Sequence, residues 1–476
     1  MKTLLLNPPS FEDFDGGAGS RYQASREVTS FWYPVWLCYP AGMIAGSRVV
    51  DAPVQRLSLD DCVKIALDYD LVVIYTSTPT LGIDTETARR IKASKPSIVT
   101  VFTGPHVSIL PEETLAAAAG AVDVVCRGEF DYAVKELADG RAWDSVAGIS
   151  FMQEGIVRHT PDRPAITDLD ALPFVSQVYK RDLPVDDYII PHIKHPYVSI
   201  YTSRGCPAFC TFCLWPQTYS GRKMRTRSPE NVYQEVKWIR ENLPQVRDIA
   251  FEDDTFSADR RHARAVAEKI APLGVSWVIN ARANCDYETL RIMRDAGLHH
   301  VIVGYESGDE QILKNIKKGI TRPQAEEFTR NCKKLGLTIH GAFIMGLPGE
   351  TRETIRKTIA YAKQLDLDSI QASLPFPYPG TELYEQCRRE GWLLSDDFLD
   401  ATGHQRCVIG YPHLSNKEIF EAVELFYDKF YLRPRYIARS ILKMIVDRDV
   451  RRRLLKEGRQ FFAYRRRRKL AARGLM

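Results

Sequence analysis

The chain has 476 residues, 45% hydrophobic and 26% charged, which excludes extended disorder, collagen-like repeats and low-complexity architectures. At about 100–200 residues per domain, the length calls for two or three domains, each large enough to bury a core. Lys+Arg 65 against Asp+Glu 60 leaves a net charge of +5, too mild to imply a nucleic-acid partner, and ten cysteines are too few for a disulfide scaffold.

Up to residue 145, short β-type runs alternate with helical stretches. Strands are predicted over 2–6, 48–51, 71–76, 99–103 and 122–126, and helices over 59–67, 84–92, 111–119 and 130–138. This alternation indicates a mostly parallel, doubly wound, Rossmann-like sheet. Such sheets bind ligands beyond the carboxyl ends of their strands, where Asn7-Pro8-Pro9, residues 76–80 and residues 103–106 fall. Fold alone does not prove function, so an empty crevice is the alternative. Residues 146–196 read as a connector with a short β pair around 148–158. From 197 to 384 the alternation resumes, with strands over 197–203, 248–252, 277–281, 301–305, 338–345 and 369–374. Six such strands suggest a full or partial β/α barrel with its site at the C-terminal strand ends. Residues 385–476 read as a helical region with a basic end. No run approaches the roughly 18 apolar residues of a spanning helix, and MKTLLLNPPS lacks the apolar region of about 7–15 residues that a signal peptide needs. A cytoplasmic protein with reduced thiols is therefore expected.

Three of the ten cysteines, Cys206, Cys210 and Cys213, form a C-x3-C-x2-C immediately after the first barrel strand. Thiolates this close can ligate one iron–sulfur cluster, which normally takes four ligands, so three leave one iron open. A structural zinc site would need a fourth Cys or His at short spacing. The nearest histidines are His195 and His262, so local sequence does not complete one.

The triplet, with aromatic Phe212 before its last cysteine, resembles the radical S-adenosylmethionine (radical SAM) enzymes. The resemblance implies a [4Fe-4S] cluster on Cys206, Cys210 and Cys213, with S-adenosylmethionine (SAM) at the fourth site. It also implies reductive cleavage of SAM to a 5′-deoxyadenosyl radical. Asp253 in Glu252-Asp253-Asp254-Thr255-Phe256, Arg282 at the third strand end and Glu306 at the fourth are then cofactor contacts. So are Gly346 and Pro348 after the fifth, where glycines permit close backbone approach to an adenine. Asp253 as a helix cap, and Glu350-Thr351 as the start of a helix, are the structural alternatives.

An α/β domain ahead of such a barrel resembles the cobalamin-binding class of these enzymes. Thr103-Gly104-Pro105-His106 followed by Leu110-Pro111-Glu112-Glu113 is similar to a segment common in that class, placing Gly104 and His106 at the cobalamin. The chain has no D-x-H-x-x-G, the motif whose histidine coordinates cobalt, so either cobalamin is bound without a histidine ligand or the domain has lost it. Segments such as Phe14-Asp15-Gly16-Gly17-Ala18-Gly19-Ser20-Arg21-Tyr22-Gln23 and Cys213-Leu214-Trp215-Pro216-Gln217-Thr218 look like members serving hopanoid biosynthesis. That finer resemblance implies contraction of a glucosamine linked to bacteriohopanetetrol into an aminocyclitol. A hopanoid lipid substrate would contact Arg21, Tyr22, Trp215 and Tyr378, and a flavodoxin- or ferredoxin-type protein would supply electrons. Two rivals stand beside it: a cobalamin-dependent radical SAM methyltransferase, and a zinc-stabilised interaction protein binding RNA or membrane.

Residues 448–476 hold twelve Lys or Arg against Asp449 and Glu457, a net +10 that leaves the rest of the chain at −5. Ile437, Ile441, Leu442, Ile445, Leu454, Leu455, Phe461 and Phe462 line the same stretch. Basic clusters beside apolar residues can lie on anionic membrane surfaces, which points to peripheral contact with the inner face of the membrane. RNA binding and a solvated end are the alternatives.

Overall fold

The computed structural model describes residues 1–9, 28–400, 403, 405–446 and 448–471. The amino-terminal sheet has seven strands: β1 (Thr3–Asn7), β2 (Arg48–Asp51), β3 (Leu71–Tyr75), β4 (Val99–Thr103), β5 (Val124–Cys126), β6 (Ile149–Gln153) and β7 (Ile156–His159). Their order is β2-β1-β3-β4-β5-β6-β7, parallel from β2 through β5. β1 and β3 are buried along their whole length, as helices on both faces of a parallel sheet require; β3 is accordingly an unbroken apolar run, and β1 carries three consecutive leucines between Thr3 and Asn7. β6 and β7 pair antiparallel and extend the same sheet; Glu154 and Gly155, both left-handed, make the two-residue turn between them. The strand order reverses between β1 and β3, so the ligand crevice of this doubly wound domain opens beyond Asn7 and Tyr75.

The second sheet has six parallel strands: β8 (Tyr197–Ile200), β11 (Asp248–Phe251), β12 (Trp277–Ala281), β13 (Leu298–Glu306), β14 (Thr338–Ile344) and β15 (Ser369–Ser373). They neighbour one another in sequence order, and β8 and β15 do not pair, so the barrel is partial. Two short strands, β9 (Ser203–Arg204) and β10 (Arg225–Thr226), form an antiparallel ribbon above β8.

The open edge of β15 is covered by side chains. On helix Asn416–Tyr431, the hydroxyls of Tyr427 and Tyr431 each exchange hydrogen bonds with one β15 residue. Tyr427 bonds the N–H and C=O of Ala372 at 3.0 and 3.2 Å, and Tyr431 those of Ile370, both at 2.8 Å. Four helical residues rise about 6 Å and two strand residues about 6.6 Å, so an i, i+4 tyrosine pair matches alternate strand positions. Helix Arg448–Ala471 lies over this pair, Phe461 packing against both tyrosine rings at 5.5 Å, and Arg465 bonding Glu424 (3.1 Å) and Asp428. Gln460 on the same helix reaches Thr29 at 3.0 Å, close to Phe31, whose carbonyl accepts from Tyr197 of β8. The carboxyl-terminal helix thus spans the gap between the two barrel edges.

One continuous hydrophobic core joins both sheets. At its centre is helix Val35–Met43, in which Val35 through Ala41 are all buried. Trp36 stacks on Trp215 with ring centres 5.6 Å apart, and nearby Tyr33 stacks on Tyr188 at 3.8 Å.

Candidate active site

A cavity of about 340 Å³ opens at the C-terminal ends of the second sheet. Cys206, Cys210 and Cys213 all line it. Their loop is held from below. Gly205 is left-handed, and a Cβ there would lie 2.4 Å from the Lys223 carbonyl, so the chain can double back only with glycine. Gln217 donates to the carbonyls of Cys213 (2.7 Å) and Thr211 (3.1 Å) and accepts from the Glu382 N–H (3.0 Å), tying the loop to the region after β15.

The ribbon at the base of the loop is clamped to the first domain. Arg204 and Arg225 face each other across β9 and β10. Arg204 makes a bidentate pair with Asp131 (2.8 and 2.9 Å), and Arg225 one with Glu129 (2.8 and 2.7 Å). All four side chains are buried, and Arg204 also lies over the rings of Trp36 and Tyr39. Bidentate geometry with every charge matched is what makes such burial tolerable.

Opposite the cysteines stand Arg282, Glu306 and Lys318, also lining the cavity. An Arg282 N–H lies 3.7 Å from Cys210 Sγ, and the guanidinium donates to the Lys318 carbonyl. Lys318 Nζ is 2.7 Å from Glu306 Oε1, both side chains buried. Glu306 sits at a register shift of β13 in a left-handed conformation rare for non-glycine residues, a strain concentrated at functional positions. A Cβ on Gly304 would fall 2.2 Å from that carboxylate, so glycine there leaves the pair its space.

Among the other predicted residues, Phe212, Trp215 and Tyr378 line the cavity. Asp253 does not. It is wholly buried and accepts from Thr202 N (2.7 Å), Thr202 Oγ1 (2.6 Å) and Ser203 N (2.6 Å), pinning the chain that enters the ribbon. Burial raises its pKa to about 6. Its neighbours Asp254 and Thr255 face the cavity instead. Gly346 and Pro348 also lie outside the lining. Gly346 packs on Ile419 and accepts from Tyr411 (2.8 Å), and Pro348 accepts from Asn315 (2.9 Å). Glu350 turns back onto the N–H groups of Gly346 and Leu347, and Thr351 caps helix Arg352–Leu365, so this loop is built for structure. Arg21 and Tyr22 lie outside the described residues. Among the residues that sequence reasoning missed are Lys318, Gln371, Gln405 and Tyr464, none of which carries a motif.

At the carboxyl end of the first sheet, Gly104 turns the chain into helix Pro105–Ile109, which packs against Leu214–Thr218 of the cysteine loop. His106 is buried with Nδ1 3.0 Å from Thr78 Oγ1, and burial pushes its pKa down to about 4, so it is neutral. The buried hydroxyls of Tyr75, the last residue of β3, and Tyr219 have no hydrogen-bond partner among the described residues. Unsatisfied polar groups where the crevice meets the cysteine loop suit a polar cofactor bound between the two. The cavity lining fits an iron–sulfur cluster as well: three thiols and, among the described residues, no histidine or fourth cysteine to close a zinc site.

Residues 200–362 match the radical SAM superfamily, and residues 24–138 the B12 binding domain. Fold and site together define an enzyme whose cofactors are a [4Fe-4S] cluster, SAM and cobalamin. An uncharacterised methyltransferase of Pyrococcus horikoshii is 32% identical over 466 residues, covering 95% of this chain and 97% of that protein. The chain belongs to the radical SAM superfamily, in its cobalamin-binding class. The cytidylyl-2-hydroxyethylphosphonate methyltransferase of Streptomyces wedmorensis is 26% identical over 413 residues, covering 78% of this chain and 77% of its own. The solved structure of the radical SAM methyltransferase TsrM from Kitasatospora setae, with cobalamin and [4Fe-4S] cluster bound, superposes with a TM-score of 0.65 at 17% identity. That match covers 90% of this chain and 88% of TsrM. These relatives overturn the expectation of hopanoid-linked ring contraction, since all three are named for methyl transfer. They also set aside the zinc-stabilised interaction protein.

Proposed function

We propose that the chain is a cobalamin-dependent radical SAM methyltransferase. The observation that carries this is the joint lining of one cavity by Cys206, Cys210 and Cys213 and by Arg282, Glu306 and Lys318, beside a B12-type crevice. When bound, the cofactors supply one-electron reduction at the cluster and methyl carriage at the cobalamin. The protein's own residues bind and orient. Arg282 and Lys318 are cations, and Glu306 an anion, suited to the carboxylate and amino groups of the methionine moiety. Phe376 and Tyr378, stacked 5.2 Å apart, form with Trp215 an apolar wall for the substrate and keep water out. In this reading residues 1–145 hold cobalamin, 146–196 connect, 197–384 carry the cluster and SAM, and 385–476 close the barrel. A flavodoxin- or ferredoxin-type protein is the electron donor.

The reading is tested by anaerobic reconstitution followed by incubation with SAM and reductant, with and without cobalamin. S-adenosylhomocysteine whose formation requires cobalamin, and which is lost in Cys206→Ala, supports it. Turnover to 5′-deoxyadenosine with no S-adenosylhomocysteine contradicts it.

A further inference from the structure

Helix Pro434–Val446 is turned inside out. Its polar side faces the barrel: Tyr436 donates to the Asp368 carbonyl (3.1 Å), Arg439 to the Leu367 carbonyl (2.8 Å) and Lys443 to Asp368 Oδ1 (3.0 Å). The opposite side carries Ile437, Ile441, Leu442, Ile445 and Val446, between 43% and 87% exposed. These recur at i, i+4, i+5, i+8 and i+9, one continuous face, and no residue of the helix is buried. A contiguous aliphatic face of this size on a folded surface marks a site of association.

The next helix states the chemistry of what it meets. Arg448, Arg452, Leu455, Arg459, Phe462 and Arg466 are all exposed, and their three- and four-residue spacing places them on one face. Cations are thus interleaved with large apolar side chains, directly after the aliphatic face ends at Val446. A second copy of the chain fits poorly: an isologous contact sets the same patch against itself, arginine facing arginine. A nucleic acid has no use for five aliphatic side chains. An anionic lipid surface satisfies both halves, acyl chains taking the aliphatics and headgroups the guanidinium groups. No helix among the described residues is long and apolar enough to cross a membrane, so the contact is peripheral.

We infer that these consecutive faces dock the enzyme on an anionic membrane surface. The inference stands independently of the methyltransferase reading, and it shifts the contact from the basic tail to the outward side of Pro434–Val446. Some tail residues are not available for it, since Arg465 is buried against Glu424 and Asp428 and Phe461 packs on two tyrosines.

The test is flotation of the full chain with phosphatidylcholine vesicles containing about one third phosphatidylglycerol, against phosphatidylcholine alone. Wild type should float with the anionic vesicles and remain in solution with the neutral ones. Ile441→Ser combined with Leu442→Ser and Ile445→Ser should weaken binding at least about ten-fold, from lost apolar burial alone. Arg452→Gln with Arg459→Gln should weaken binding to anionic vesicles and flatten its salt dependence. Neither set touches the cavity, so folding is checked by unchanged circular dichroism and unchanged iron content after reconstitution. Wild type that stays in solution with anionic vesicles overturns the proposal, whether it is monomeric or a dimer that the serine variant dissociates.

Discussion

Around Glu306 single atoms decide what the cavity can hold. Glu306 and Lys318 share a buried pair that fits only because residue 304 has no side chain. Gly304→Ala should displace the carboxylate, weaken SAM binding by at least about ten-fold and cost about 2–4 kcal/mol of stability, measured by isothermal titration and urea unfolding. A second prediction concerns His106, whose folded pKa of about 4 lies below its ordinary 6.5 because of burial. The unfolded chain therefore takes up this proton first, and the contribution is lost as pH falls from about 6.5 to about 4. Relative to His106→Gln, wild type should lose about 1.4 kcal/mol per pH unit across that window, seen in urea midpoints against pH. At this scale the sequence was only partly legible. The cysteines were readable because their spacing alone constrains chemistry. Asp253 and Asp254 were not separable, because the chain leaves strand geometry after Phe251 and alternation no longer says which carboxylate faces inward. Lys318 was invisible, lying in a loop whose side chain is placed only by tertiary structure.

Elements were read more reliably, for a physical reason. In the first sheet, strands buried on both faces, such as β3, must be apolar runs and stand out. Those of the second sheet, half-buried at alternate positions in β14, were read from the repeated strand-then-helix alternation. Across both sheets several match to the residue. Helix Val35–Met43 escaped the same logic. Buried all round, it has no polar face and hence no 3.6-residue period, and Pro40 reads as a breaker. The cover on β15 was equally hidden, because two tyrosines four apart on an amphipathic helix look like ordinary core residues. Their hydroxyls nonetheless complete the hydrogen bonding of Ile370 and Ala372. Tyr431→Phe should cost about 1–3 kcal/mol in urea unfolding by leaving a backbone N–H and C=O without partners, and should speed amide exchange at Ile370. Unchanged exchange there would mean that water or a neighbouring group covers the edge instead.

Over the whole molecule, two domains share one core and are locked at a buried four-charge clamp one residue away from the glycine that begins the cysteine loop. Asp131→Ala leaves buried Arg204 without its bidentate partner, only Glu129 remaining at 3.9 Å, and should cost about 3–5 kcal/mol, with cluster content falling because the clamp holds the base of the cysteine loop. The near-neutral total charge concealed a basic carboxyl-terminal helix, and what the sequence could not reveal is that this helix returns to the barrel. It closes the open seam with one side, lends Tyr464 to the cavity and turns arginines, Leu455 and Phe462 outward with the other. The resemblance to radical SAM enzymes was legible across the chain, whereas the reaction was misread because several residues that line the cavity, Lys318 and Gln371 among them, carry no motif. The central claim is that this architecture transfers a methyl group. It is tested most directly with SAM carrying a fully deuterated methyl group, in the presence of cobalamin, reductant and a pool of small-molecule metabolites. The account predicts S-adenosylhomocysteine together with an organic product bearing the intact label; 5′-deoxyadenosine with a changed but unlabelled product would contradict it.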